Sequence, residues 1–418
     1  MERLTLEILK NAVKGTGAAF RCITEYQPAG GIGDKVFPPT YEGGKYAVEK
    51  RMVNGHLVSC VLLDSVQSQA NRMEQALLEA WRTRDSGGKP RIQIPVISVY
   101  FDDDRLKKKF VVTSLDAPHR AADAIFRDST FEEEDGRKVM FRKSSVGKIL
   151  DFADVRNATE LFGLNPTALI FGIWDSTGPR GGLGTKFQRA LVSEIIGFNA
   201  EVGCKTSSRI DPAQIVLGSG PLFARKTQDT LTPDWTVAPE KATTEKGQPK
   251  KLGKDGKPSE ANHGNVTPTI AVGGFTISHA QQTTVLSLSA LRRLRFPLNG
   301  AAESDPEIDC AGRTALAALG LTAATLAREE GADLRSRCQL YPTEKFVWEL
   351  LDIPGEPPKQ FELNGAEVVL LLRKAVEEAK EKKLPWKDEI HLSPSGELNE
   401  LVAKSQDIIA KQAIEGGE

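Results

Sequence analysis

No stretch of this 418-residue chain approaches eighteen consecutive apolar residues, the length a bilayer-spanning helix needs. Met1 to Lys14 alternates apolar with charged residues, so it lacks the uncharged core of a secretion signal. Neither feature directs the chain into a membrane, and a cytoplasmic protein is expected. Cysteines are few and scattered (Cys22, Cys60, Cys204, Cys310, Cys338), with no C-x-x-C pair. That argues against a disulfide framework and against a zinc site, and for free thiols in a reducing compartment. Histidines 56, 119, 263, 279 and 391 never fall in H-x-x-x-H spacing, so no metal and no cofactor is expected. A G-x-S-x-G nucleophile elbow is missing, as is any tandem repeat of the lengths that build solenoids. The chain also has little net charge, −1, which argues against a simple basic nucleic-acid binder.

What is present is uneven charge on a globular composition. The hydrophobic fraction is 40% and the charged fraction 27%, enough for two ordinary domains or one core with large insertions. Residues 175–300 hold 16 Lys/Arg against 10 Asp/Glu, whereas residues 301–418 hold 14 against 23. A basic middle could neutralise phosphates; it could equally be a solvated lysine loop beside an acidic tail.

Along the chain, Leu4–Leu9 alternates like a strand, and Lys45–Val53 and His56–Leu63 flank Asn54-Gly55 as a hairpin with a type I′ turn. Ser65 is placed to cap a helix through Trp81, with Val66, Ala70, Met73 and Leu77 on one face and Gln67, Gln69, Asn71 and Arg72 on the other. Arg91–Phe101 and Phe110–Leu115 read as strands, and Asp116-Ala117-Pro118 as a helix start. Thr167–Trp174 has the length of a buried strand, and Phe187, Leu191 and Ile195 suggest a helix after the intervening loop. Residues 219–268 are rich in Lys, Thr, Gly and Pro and read as a projecting, partly disordered insertion. Beyond it, Thr269–Ile277, Thr283–Leu288 and Lys345–Leu351 are strand-like, and Thr314–Glu330, Gly365–Lys382 and Glu397–Ala413 helical.

The loop Gly178-Pro179-Arg180-Gly181-Gly182-Leu183-Gly184 stands where a phosphate cradle would, between an expected strand and an expected helix. It fails the Walker pattern, because five residues separate Gly178 from Gly184 and Thr185-Lys186 follows. It fails the Rossmann pattern for want of a third glycine. A loop hugging polynucleotide phosphates and a tight structural turn both remain open. Lys205 to Pro212 packs two cations and three hydroxyls, which suits phosphate and 2′-OH contacts, or forms only an Arg209–Asp211 surface pair. Asp116, Asp123 and Asp175 could serve a metal-dependent nuclease, but Asp116 reads better as a helix cap and Asp123 as solvent-facing.

Five longer strings carry a family resemblance: Leu62–Glu74 (LLDSVQSQANRME), Val112–Asp128 (VTSLDAPHRAADAIFRD), Phe171–Gly197 (FGIWDSTGPRGGLGTKFQRALVSEIIG), Lys205–Pro212 (KTSSRIDP) and His279–Phe296 (HAQQTTVLSLSALRRLRF). Over about residues 1–300 the chain resembles the large RAMP subunit that forms the backbone of type I-U (I-G) CRISPR effector complexes. It departs from that family in its first loop, where Gly15-Thr16-Gly17-Ala18-Ala19-Phe20 and Tyr26–Asp34 replace a string like GTRFQPTGFPDLG.

The resemblance implies an α+β fold with a ferredoxin-like (RNA-recognition-type) RAMP palm carrying inserted finger and thumb elements. The core would cover 1–300, with a finger at 85–165, a thumb at 219–268 and a mostly helical region at 301–418. It implies a non-catalytic CRISPR RNA-binding subunit that polymerises along the guide and presents its bases to target DNA. Partners would be the CRISPR RNA, target DNA through the guide, further copies of itself head to tail, other effector-complex subunits and a recruited helicase-nuclease. The alternatives are a RAMP-type metal-dependent ribonuclease and a nucleotide-binding enzyme using the Gly178–Gly184 loop. Because such a subunit holds phosphates and sugars, the RNA-binding candidates are Arg72, His119, Arg120, Arg180, Lys186, Arg189, Lys205, Ser207, Arg209, Arg292 and Arg293.

Overall fold

Asn54 and Gly55 have φ of 49° and 81°, and they turn strand Val48–Val53 into strand His56–Asp64 as the sequence predicts. The Ser65 side chain then accepts the Ser68 N–H and starts helix Val66–Arg82. These pieces belong to a computed structural model that describes residues 2–84, 87–176, 184–226 and 231–415, without the side chains of 411–415. The chain divides into two units. The larger comprises 1–104, 109–201 and 275–399; the smaller comprises 105–108, 202–274 and 400–418.

The larger unit is built on an antiparallel sheet. Its central strands are β1 (Ala19–Pro28), β2 (His56–Asp64), β3 (Leu191–Phe198), β4 (His279–Ser287) and β5 (Val347–Leu351). They lie in the order β5-β1-β4-β3-β2, with Val48–Val53 at the outer edge. Helices α1 (Val66–Arg82) and α2 (Pro306–Glu329) pack on one face and on each other. Strand alternation supplies that core: Phe20, Cys22, Thr24 and Tyr26 of β1 are buried, while Ile23 and Glu25 are exposed. Helix α2 is long and apolar enough to cross a bilayer, yet most of it is buried in this fold, with Asp305 capping its first turn.

A second sheet runs Phe110–Thr113, Ile97–Phe101, Ile390–Pro394, Ser129–Glu132, Lys138–Met140 in that spatial order. Its middle strand comes from the far end of the chain and pairs parallel with Ile97–Phe101. With α2 in the main core, the C-terminal third is therefore woven into the larger unit as well as being helical.

Several local expectations are corrected. Leu4–Leu9 opens a helix, Leu6–Lys14, because Thr5 accepts the Ile8 N–H and Leu9, Ala12 and Val13 make a buried helical stripe. Thr167–Trp174 is a helix, Pro166–Phe171, followed by the short strand Ile173–Trp174; a short apolar run does not betray its period. Phe187 to Ile195 is strand, Lys186–Phe187 and then β3, not helix. A spacing of four is about one helical turn but also two strand periods, so both readings put those residues on one face. Asp116 and Asp123 exchange roles: Asp123 caps helix Ala124–Arg127, and Asp116 accepts from the N–H and hydroxyl of Thr113.

In the smaller unit, Glu201–Arg209 pairs with Val266–Thr276. Between them, where it is described, the lysine-rich segment is a series of bonded turns. Buried Asp211 accepts the N–H groups of Gly264 (2.6 Å) and Ala213 (2.9 Å), and these bonds hold its carboxyl below the usual range. Glu260 does the same for Lys254, Asp255 and Lys257. Carboxylate-to-backbone bonds supply here the order that apolar burial could not.

Candidate nucleic-acid interface

Gly172 ends helix Pro166–Phe171 with φ of 83°, and a Cβ there would lie 3.0 Å from the Phe187 carbonyl oxygen. The missing side chain lets Ile173–Trp174 pair with Lys186–Phe187, and the loop beginning at Asp175 springs from the end of that pair. At the loop's base Asp175 N–H donates to the Thr185 carbonyl, and a Cβ on Gly184 would sit 2.2 Å from the Asp175 carbonyl oxygen. The glycine there serves close backbone packing. The helix N-terminus expected behind the loop is not there, since the strand Lys186–Phe187 follows it. Residues 177–183, Arg180 among them, lie outside the described part of the structure.

Beside this pair is a cleft of about 500 Å³. Gln67 and Asn71 of α1 form one wall, the Pro118–Arg120 turn a second, and Trp174, Lys186 and Arg189 a third. The Trp174 indole is 58% exposed and the Lys186 ammonium lies 5.7 Å from its ring centre. His119 is exposed at the rim, and the half-buried Arg189 donates from Nε to the Phe171 carbonyl (3.1 Å).

Arg120 is different. It is buried and donates from Nε and Nη2 to Glu74 (2.7 and 2.8 Å) and from Nη1 to the Gly172 carbonyl (2.8 Å). Burial raises the Glu74 carboxyl above the ordinary range, against the opposing pull of Arg120 and Arg189. Burial and the Arg120 charge lower the Arg189 guanidinium. Arg120 is thus the floor of the cleft and leaves the outward cations to Lys186, Arg189 and His119.

On the other side of Lys186–Gln188, a smaller cleft of about 250 Å³ is lined by Arg293, which donates to the Gln188 side chain (3.1 Å). Arg292 donates to the Gly15 carbonyl (3.1 Å). Arg72 stands apart, on the opposite side of α1, where it binds Asp64 (2.9 Å) and the Leu334 carbonyl (2.7 Å). Lys205, Ser207 and Arg209 belong to the smaller unit; Ser207 bonds Thr269 across the ribbon (2.7 Å), and Arg209 sits 3.9 Å from Asp211.

Trp174 is the member of the site that sequence reasoning missed, having been read as the end of a buried strand. Its signal was an aromatic one residue before a glycine-rich loop that ends in a lysine. The carboxylates considered for metal chemistry do not converge: Asp175 pairs with Arg142 (2.8 Å), Asp116 with Thr113. No cluster of three or more His, Cys, Asp or Glu suited to a metal occurs among the described residues.

With that geometry in view, residues 20–202 match the family model described as CRISPR-associated protein GSU0053. Over that stretch the chain is similar to CRISPR-associated proteins. The matched part contains α1, the Pro118–Arg120 turn and the Trp174–Lys186 pair, that is, every wall of the larger cleft. The crystal structure of Thermofilum pendens Csc2 aligns with 98% of this chain and 94% of its own at 12% identity, with a TM-score of 0.29. No curated protein matches the sequence.

Proposed function

We propose that this CRISPR-associated protein is an RNA-binding, non-catalytic backbone subunit of a type I-U/I-G interference complex, which holds the guide through its phosphates and sugars. The observation that carries the reading is the cleft where Trp174, Lys186, Arg189 and His119 meet at the root of a glycine-rich loop. An exposed indole beside an ammonium offers a flat apolar surface and a phosphate partner together, as single-strand binding requires. The order β5-β1-β4-β3 with two helices on one face supports a ferredoxin-like palm. In that reading the smaller unit is the thumb, and copies of the subunit join head to tail along the guide, meeting other effector subunits and, through the guide, target DNA. A helicase-nuclease recruited to the complex would do the cutting.

Fluorescence anisotropy with labelled single-stranded RNA tests this. Binding should be indifferent to sequence and should weaken steeply with salt. Lys186→Ala should lower the slope of log affinity against log salt by about one, and Trp174→Ala should cost about 1–3 kcal/mol. The same RNA should stay intact with Mg²⁺. Unchanged affinity in both folded variants would overturn the site, and cleavage would overturn the non-catalytic role.

A further inference from the structure

Arg328, in the last turn of α2, is only 8% exposed, yet its Nε and Nη2 have no hydrogen-bond partner. Among the described residues no carboxylate lies within salt-bridge distance of it. Its guanidinium lies 4.8 Å from the ring centre of Trp348 and 5.1 Å from that of Phe346. Aromatic faces attract the cation but accept nothing from its in-plane N–H groups. The indole N–H of fully buried Trp348 is likewise without a partner. Arginine and tryptophan nitrogens only donate, so two neighbouring side chains lack the same thing, an acceptor. A buried unpaired cation is costly, and a water molecule would not neutralise it.

A cavity of about 260 Å³ borders Arg328. The second cation on its lining, Arg72, is already paired with Asp64 (2.9 Å). Polar side chains on its wall satisfy one another: Tyr26 donates to Gln282 (2.9 Å), Gln282 to Gln69 (2.7 Å), and Gln69 to Asp64 (2.6 Å). One positive charge therefore remains uncompensated. The remaining walls include the apolar Ile195, Leu334, Leu340 and Phe346.

We propose that this cavity is a binding site for a small monocarboxylic acid, its head group on Arg328 and its short apolar stem against Ile195, Leu340 and Phe346. One free cation matches one negative charge. A doubly charged phosphate would leave an unmatched charge against apolar walls, and the volume admits only a short chain. The site uses Gln69 and Arg72 of α1 where the Trp174 cleft uses Gln67, Ala70 and Asn71, and it does not rest on RNA binding. The occupant ties the end of α2 to the strand beyond it.

Butyrate is the probe, added to the full-length protein at constant ionic strength and read by thermal melting and isothermal titration. Butyrate should raise the melting temperature progressively and bind saturably, whereas butanol, butylamine and chloride should do neither. Arg328→Gln should weaken butyrate binding on the order of tenfold to a hundredfold, the worth of a charge-assisted pair. A wild-type protein indifferent to butyrate overturns the proposal, and the wild-type measurement stands even if the variant fails to fold. So does an equal response to inorganic phosphate, or a variant that keeps the full butyrate response. A variant that is less stable but gains the same increment from butyrate assigns Arg328 a packing role alone, which also overturns it.

Discussion

At the scale of single residues, two cations lining one cleft do opposite work. Lys186 reaches out over Trp174, while Arg120 is spent on Glu74 and a backbone carbonyl. Both are cations near one cleft, and no property of the isolated residue separates them. Breaking a buried pair from one side strands the other charge, so Glu74→Ala should cost about 3–5 kcal/mol, and Glu74→Leu combined with Arg120→Met should recover most of it. Chemical denaturation of the single and double variants checks this. The pair also has a pH signature. The Glu74 carboxyl is raised toward about 7 in the folded protein, so the native state holds a proton that the unfolded chain releases. Stability from this group is present below the ordinary carboxylate range and lost as pH rises toward about 7. Between pH 5 and 8 the wild type should lose stability relative to Glu74→Gln, measured as the difference in their melting curves.

Elements with local signals could be read from the sequence: the Asn54-Gly55 hairpin, the Ser65 cap, the strands around 270 and 285, and the helix starting at Gly365. Each is specified by a turn or capping residue or by an unambiguous period. Misread elements lacked one. Phe187, Leu191 and Ile195 share a face in either geometry, and pairing with β4 decides for strand. The bonded turns of the lysine-rich segment were not legible for another reason: composition measures apolar burial and is blind to a single carboxylate gathering backbone N–H groups. Asp211→Ala removes that acceptor from the Ala213 and Gly264 turns. Limited proteolysis should then cut within 211–264 much faster than in the wild type, with the melting of the larger unit unchanged.

At the scale of the whole molecule, residues 202–274 of the smaller unit are inserted in the chain between two neighbouring strands. β3 and β4 pair antiparallel up to Phe198 and His279, and Asn199 bonds Ser278 there (3.0 Å). The ends to be joined are thus already adjacent, and closing them again asks only for a short turn. Replacing 202–274 by a four-residue Asn/Gly turn should leave a cooperative melt and the circular dichroism of the larger unit. If the inserted unit is the thumb, the shortened subunit should bind RNA without forming ordered multimers, which electron microscopy with guide RNA would reveal. The sequence alone determined the hairpin, the Ser65-capped helix, the strands near 270, 285 and 347, and the strings that resemble CRISPR-associated proteins, because these depend on neighbours a few residues away. Tertiary structure alone decided that Trp174 joins Lys186, Arg189 and His119, that Arg120 is buried on Glu74 and Arg72 is paired with Asp64, and that a C-terminal strand completes the second sheet. Those outcomes depend on which distant segments share a sheet, and no local period records that.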